Sequence, residues 1–402
     1  MQVSDFHLTY CTNIHPGESW EATFKNLKEY IPKIKGELSV EKPFAIGLRL
    51  SDEASRELIK PEQLDLFKSW LSTNNCYVFT FNGFPFGGFH RQVVKDEVHL
   101  PDWSTEERKA YTLRLFTILA QIMPADMDAG ISTSPLSYKY WHKSSAALDQ
   151  LMAQSCAHIM EVVEYLYQLK LDKNLDLHLD IEPEPDGVIE ESKGLIHFFK
   201  DWLIPKGGPI LSKKFGLSAE EAEAAIKDHV QVCYDVCHFA VGYEDHEEVL
   251  DAFEKEGIKI GKFQLSAALK ANIPTEINQR RAVEKALLPF VESTYLHQVI
   301  GRMEDSTLHA YPDLPDALMD LATTKELEWR IHFHVPLFLS TYGDVHSTQE
   351  DILSVLKLNG ERKLTSHLEV ETYTWEVLPE DIHLSLDQSI ARELNWVKNN
   401  IK

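Results

Sequence analysis

The chain has 402 residues, with Lys+Arg 40 against Asp+Glu 63 and a formal net charge of −23. Hydrophobic residues at 44% and charged residues at 26% are the balance of a globular protein with a large core. A surface this acidic repels nucleic-acid backbones and anionic lipid, which disfavours a general binder of either.

The length suits two or three ordinary domains, or one α/β barrel carrying insertions. The five cysteines, Cys11, Cys76, Cys156, Cys233 and Cys237, are odd in number and scattered, so no disulfide framework is expected. The start, Met1-Gln2-Val3-Ser4-Asp5, lacks the basic segment and apolar run of a signal peptide. The longest apolar-rich stretch, 113–123, is too short to span a bilayer. The expected address is cytoplasmic, without stable membrane insertion.

Taken in chain order, strands are expected at 8–13, 44–50, 77–81, 129–133, 175–182, 230–236, 258–266, 295–301, 329–335 and 368–373. Helical patterns fall between them at 20–34, 105–123, 145–169, 218–228, 246–256, 275–291 and 348–358. Ser19 is placed to cap the first, and Glu106 and Glu107 give the second an acidic first turn. Alternating strands and helices imply βαβ units and a mainly parallel sheet, and eight or more units imply closure into a barrel. The fold class expected is therefore α/β, a TIM (β/α)8 barrel with insertions, in one domain over 1–402 with an insertion around 270–325. Ten strands are two more than eight. Either 295–301 belongs to an inserted hairpin, or one of the ten is not a strand.

The strongest clue lies in the second half. Parallel strands covered on both faces are nearly all apolar, yet here every second residue is polar. Side chains alternate across a strand, so Asp176, His178, Asp180 and Glu182 share one face. The same holds for Gln231, Cys233 and Asp235; for Lys262, Gln264 and Ser266; for Arg330, His332 and His334; and for His367, Glu369 and Glu371. In a barrel the apolar positions meet the helices and the polar ones point inward. There they need partners or a metal. The alternative is an antiparallel sheet with one wet face, which five strands separated by helices make less natural.

Chemistry in such a barrel gathers at the C-terminal strand ends. Glu182, Asp235, His334 and Glu371 end strands, and His238 follows Asp235 by three. These five are the expected metal ligands. A mixed set of carboxylates and imidazoles suits Mn²⁺, Zn²⁺, Co²⁺ or Fe²⁺, with Mg²⁺ also within range. Each has an alternative: Glu182 as a cap or a partner of Arg302, Asp235 and His238 as a hydrogen-bonded pair, and His332 and His334 as core histidines. Glu371 is favoured over Glu369 because it lies nearer the strand end. Glu182 and Glu371 are the expected catalytic acid/base pair. His15, Asn82, Lys262, Gln264 and His332 are the expected substrate contacts, and His178 and His367 sit deeper, where a structural or supporting role is expected. After the third strand, Asn82 opens a glycine- and aromatic-rich loop through His90 that would form a wall or lid. No GxxxxGK[ST], convincing GxGxxG, HExxH or GxSxG is present.

The segments LDLHLDIEPEP, VQVCYDVCHFA, KIGKFQLSAAL and HLEVETYTW resemble the xylose-isomerase-like TIM-barrel superfamily of sugar isomerases, epimerases and the endonuclease IV group. In that superfamily a Glu ends the fifth strand, an Asp and a His three residues later follow the sixth, and a Glu ends the eighth. Glu182, Asp235, His238 and Glu371 match those positions. Where the superfamily often has a seventh-strand His, this chain has Gln264. More narrowly, HLTYCTNIHPGESW, FTFNGFPFGGFH and VCYDVCHFAVGYE are similar to the metabolite traffic protein EboE family of the ebo gene cluster. The resemblance implies a barrel, a divalent metal ion and the handling or export of a small precursor, with other ebo-cluster proteins as partners. Three functions follow as expectations. One is metal-dependent isomerase or epimerase-like chemistry on a small hydroxy-carbonyl metabolite, another a non-catalytic carrier. The third, an endonuclease IV-like nuclease, is disfavoured by the charge.

Overall fold

The computed structural model describes residues 1–38, 41–88, 95–291, 295–372 and 384–401. The strands in chain order are β1 (Gln2–Val3), β2 (Phe6–Tyr10), β3 (Phe44–Arg49), β4 (Cys76–Asn82), β5 (Ala129–Thr133), β6 (Leu177–Ile181), β7 (Val230–Asp235) and β8 (Ile260–Leu265). They continue with β9 (Ala267–Asn272), β10 (Val299–Arg302), β11 (Leu308–Tyr311), β12 (Glu328–Val335), β13 (Thr341–Tyr342), β14 (Val345–Ser347) and β15 (His367–Val370). The end of the expected strand 368–373, at Tyr373, lies outside the described residues, as do Phe89 and His90 of the aromatic loop.

One sheet has the order β1-β2-β15-β8-β7-β6-β5-β4-β3. Apart from β1, an antiparallel lead-in to β2, every neighbouring pair is parallel. Eight parallel strands thus curl into the expected α/β barrel. The seam between β2 and β3 is closed by side chains standing in for backbone. Thr9 Oγ1 donates to Ala45 O at 2.9 Å and accepts from Gly47 N at 2.8 Å. Thr12 Oγ1 accepts from Arg49 N at 2.8 Å, and Cys11 bridges Gly47. Thr9→Val keeps the shape but strands a buried amide and carbonyl. Unfolding in denaturant is expected to show a loss of about 2–3 kcal/mol.

Amphipathic helices cover the barrel. Trp20–Leu38 buries Trp20, Leu27, Ile31 and Ile34, the three- and four-residue spacing of one helical face. Glu106–Ile122 begins where Thr105 caps Arg108 N, and Ser145–Lys173 begins where Ser144 caps Ala147 N. Asp52–Leu58, Pro61–Thr73 and Leu386–Asn400 are helices that the periodicity did not separate from loops.

The two surplus strands resolve into a second sheet. Between β8 and β15 the chain forms a six-stranded antiparallel sheet of order β11-β10-β12-β9-β14-β13. It begins before residue 270 and ends beyond 325. The expected strand 295–301 shortens to β10. The expected strand 329–335 becomes β12, which is not a barrel strand, so the inward stripe of Arg330, His332 and His334 was assigned to the wrong sheet. Its alternation comes from an antiparallel sheet with differing faces, the case that a parallel-strand reading sets aside. The pairing of β12 with β9 is regular as far as Ile331↔Leu269 and then slips before Val335↔Ala267. Such irregularities re-aim side chains, and at this one His332 and His334 face the mouth of the barrel.

The bore is filled in layers by the polar stripes. Room for them comes from glycine. A Cβ on Gly130 would lie 2.3 Å from both Asp180 Oδ2 and the His178 ring, and one on Gly261 would lie 2.0 Å from Asp180 Oδ1. In the middle layer Lys262 Nζ is bonded to Glu369 Oε2, both side chains being 0% exposed. All five cysteines are free.

Candidate functional site

The upper ends of four barrel strands bring their last polar residues to one point. Asp235 ends β7 beside Gln264 of β8. Glu182 follows β6, and Glu371, following β15, is held by its N–H on Leu265 O at 3.0 Å. Gln264 Nε2 lies 2.9 Å from Glu182 Oε1, 2.8 Å from Asp235 Oδ2 and 2.7 Å from Glu371 Oε2. An amide nitrogen carries two hydrogens, so three carboxylates oversubscribe it. Which way a glutamine amide faces is set by its surroundings. Turned over, Gln264 presents Oε1 to the same three oxygens, a four-oxygen set suited to a cation. Glu182 Oε2 is buried without a hydrogen-bond partner, and Lys262, the cation beneath, is engaged by Glu369. The residues present therefore fit a divalent ion.

Imidazoles stand beside this set. Asp235 caps the helix Val236–Val241 through His238 N, which fixes the three-residue spacing to His238. His238 Nδ1 is 2.8 Å from Pro183 O, so it donates there and turns Nε2 toward Asp235 Oδ1, 3.8 Å away. His334 Nδ1 lies 3.2 Å from Glu371 O. Asp235, His238 and His334 form a second ligand-type group adjoining Glu182, Asp235 and Glu371, with Asp235 common to both.

Further residues hold these in place. Asn13 Nδ2 and Asn82 Nδ2 donate to Glu371 Oε1 at 2.6 and 3.1 Å. Ser266 Oγ donates to Asp235 Oδ1 at 2.6 Å. Such outer partners orient ligands and are worth about 10–100-fold in metal affinity. Asn13→Ala is expected to weaken divalent-ion binding by about that factor, read by calorimetric titration.

Burial, then the Asp235 charge, pushes Glu182 well above the usual carboxylate range. Burial with Glu182 and Asp235 does the same for Glu371, and burial with Asp235 for Glu184. Burial also opposes the Asp235 charge, but His238, His334, Ser266 and Gln264 outweigh it and hold Asp235 below its ordinary value. One carboxylate is thus kept ionised while its neighbours compete for protons, as in sites that move them.

Above lies a cavity of about 80 Å³, lined by Asn13, Asn82, Glu182, Glu184, His238, His332, His334 and Glu371 among others. It is large enough for a few waters. Of the expected substrate contacts, Asn82 and His332 line it, with His332 Nδ1 held by Gln298 Oε1 at 2.9 Å. Gln264 is the floor between the three carboxylates. Lys262 lies a layer below, against Glu369. His15 faces away, bonded to Tyr10 Oη at 2.8 Å and stacked on Tyr30 at 4.4 Å. Arg302 pairs with Glu328 at 3.4 Å.

The sequence places Ser266 on an inward stripe without a role, and it assigns none to Asn13, Glu184, His99 or Gln298. Asn13 and Ser266 stand just beyond β2 and β8, so strand-end position was a usable signal for them. His99 and Gln298 sit in connecting segments and gave none.

No protein-family model matches the chain, and no curated protein matches it significantly in sequence. Solved structures do. A xylose isomerase-like TIM barrel protein from Mycobacterium smegmatis, in complex with magnesium, is similar at 10% identity and a TM-score of 0.51, covering 100% of this chain and 98% of its own. The IOLI protein with a binding zinc atom gives 10% identity and 0.48, covering 98% and 97%. The 3-keto-D-glucoside 4-epimerase YcjR from E. coli gives 10% and 0.42, covering 98% and 99%. The chain has the fold of the xylose isomerase-like TIM barrels. Among the described residues no helix is long and apolar enough to cross a membrane.

Proposed function

We propose that the protein is a metal-dependent isomerase or epimerase-like enzyme acting on a small metabolite with a carbonyl beside a hydroxyl. The carrying observation is the convergence of Glu182, Asp235 and Glu371 on Gln264 Nε2. Glu182, Asp235, Gln264 and Glu371 would hold the ion, with His238 and His334 beside it. When bound, the ion would polarise the carbonyl and hydroxyl oxygens of the substrate.

The chain's own residues do the rest. Glu182 and Glu371 reach the site from β6 and β15, which β7 and β8 separate in the sheet. Standing apart on the floor of the cavity, they are placed to take a proton from carbon and to return it from the other side. Asn82 and Asn13 steady Glu371, and His332 on Gln298 orients a substrate oxygen. Loop residues Phe84 and Leu296 at the cavity wall exclude water. The whole chain acts as one catalytic domain, with the second sheet as the insertion that roofs the barrel. The resemblance of its loops to the EboE family supports a cytoplasmic role in supplying or clearing a precursor for export, alongside other ebo-cluster proteins.

The test is a panel of hydroxy-ketones and hydroxy-aldehydes incubated in deuterated water with the metal-loaded protein. Metal-dependent exchange of a carbon-bound hydrogen, lost in Glu371→Gln, is the expected result. Tight binding of panel members without exchange overturns the enzymatic reading and identifies a carrier.

A further inference from the structure

The lower ends of the same polar stripes meet a second group of ligand-type side chains, at the end of the barrel away from the cavity. Asp128 precedes β5, His178 lies on β6 and His367 opens β15. His178 Nε2 is 3.4 Å from Asp128 Oδ2, and His367 Nε2 is 3.4 Å from Asp128 Oδ1. The ligand atoms of the three residues all lie within 4.8 Å of one another.

The two histidine side chains are 2% and 1% exposed, and neither Nε2 has a hydrogen-bond partner. A separation of 3.4 Å is long for an N–H···O bond. It is close to the edge, about 3.3 Å, of a tetrahedron of ligands each about 2.0–2.1 Å from a zinc-class ion.

We propose that Asp128, His178 and His367 form a second metal site, for zinc or a similar tetrahedral divalent ion, which staples the lower rim of the barrel. His178 is already set up for this. Its Nδ1 lies 2.6 Å from Asp180 Oδ1, so the ring donates to that carboxylate and turns Nε2 toward Asp128. A carboxylate behind a histidine is the usual support of a zinc ligand. Gly130 and Gly261 leave the space that this pair occupies.

The His367 ring is fixed by Phe79, with ring centres 4.6 Å apart, and runs alongside His178 at 5.9 Å. His7, 6.3 Å from His367, is engaged by Tyr77 Oη at 2.8 Å through Nδ1. Asp128, 47% exposed, opens with His178 onto a concavity of about 1210 Å³ at this rim. That concavity gives an ion its entry and a water its place as fourth ligand.

The competing occupant is a proton. Burial opposes a charge on His178, but Asp180 and Asp128 together push it up to about 10. A proton there serves His178 and leaves His367 merely facing a carboxylate, whereas an ion engages both rings.

Because this site shares no residue with the upper one, the two are separable. The chelator-stripped full chain is titrated with Zn²⁺ and with Co²⁺ alone, and bound metal per chain, the visible cobalt spectrum and Tm are recorded. Two ions per chain are expected. Asp128→Asn and His367→Gln should each remove one ion, the tetrahedral cobalt bands and the metal-dependent rise in Tm, while Glu182→Gln removes only the other ion. One ion per chain in the unmodified protein, lost in Glu182→Gln, overturns the proposal. Unchanged stoichiometry in Asp128→Asn with the fold intact by circular dichroism does so too.

Discussion

Glu182→Gln should weaken divalent-metal binding at the upper site by at least about 100-fold, while leaving the fold intact. Outer-sphere partners alone are worth about 10–100-fold, and Glu182 supplies one of three carboxylate oxygens within 2.9 Å of a single point. In the metal-free chain Glu182 is already held protonated, so an isosteric, neutral Gln adds no charge and the chain should unfold no earlier than the parent. Asp235→Asn should act in the same direction, since Asp235 belongs to both ligand groups. The pH dependence has a definite sign. The ion binds ionised carboxylates, and Glu182 and Glu371 are held protonated to unusually high pH by burial and mutual repulsion. Binding therefore displaces protons, and apparent affinity rises with pH. Elemental analysis of dialysed protein and calorimetry at several pH values measure both. Full metal content in Glu182→Gln and Asp235→Asn together would show that the ligand set is wrong.

The largest loss of stability is expected from Lys262→Met. Lys262 and Glu369 are paired at 0% exposure in the middle of the bore. Breaking a buried pair by removing one partner costs about 3–5 kcal/mol, because the other charge is left without compensation. Lys262→Met/Glu369→Gln should recover part of that loss, since no isolated charge remains. The difference between single and double variants, taken from denaturant midpoints, reads the coupling directly. A single-variant cost below about 1 kcal/mol would mean that water reaches the pair.

Much of the site was legible because a strand has a period of two. The alternation in β6, β7, β8 and β15 announces an inward polar face, and the residue at each upper end is Glu182, Asp235, Gln264 or Glu371. Depth along the stripe was legible too: His178 and His367 fall low, as their early strand positions imply. What the alternation does not carry is which sheet a strand joins. β12 has the same pattern as the barrel strands, yet its partners are β10 and β9, and only its broken register with β9 turns His332 and His334 toward the mouth. Nor does it say what a polar residue meets. Lys262 meets Glu369 across the bore, and His15 stacks on Tyr30, pairings that no local spacing announces.

The amino-acid order alone settled the alternation of strands and helices, the acidic character and the polar stripes along the strands, because these depend on local spacing and composition. The tertiary structure decided that eight of the strands close into one barrel while a separate antiparallel sheet covers it. It decided that three carboxylates meet at Gln264 and that two histidines meet Asp128 at the other end. Those are pairings between residues up to hundreds of positions apart. They are fixed by how the strands register and pack, not by any neighbour in the chain.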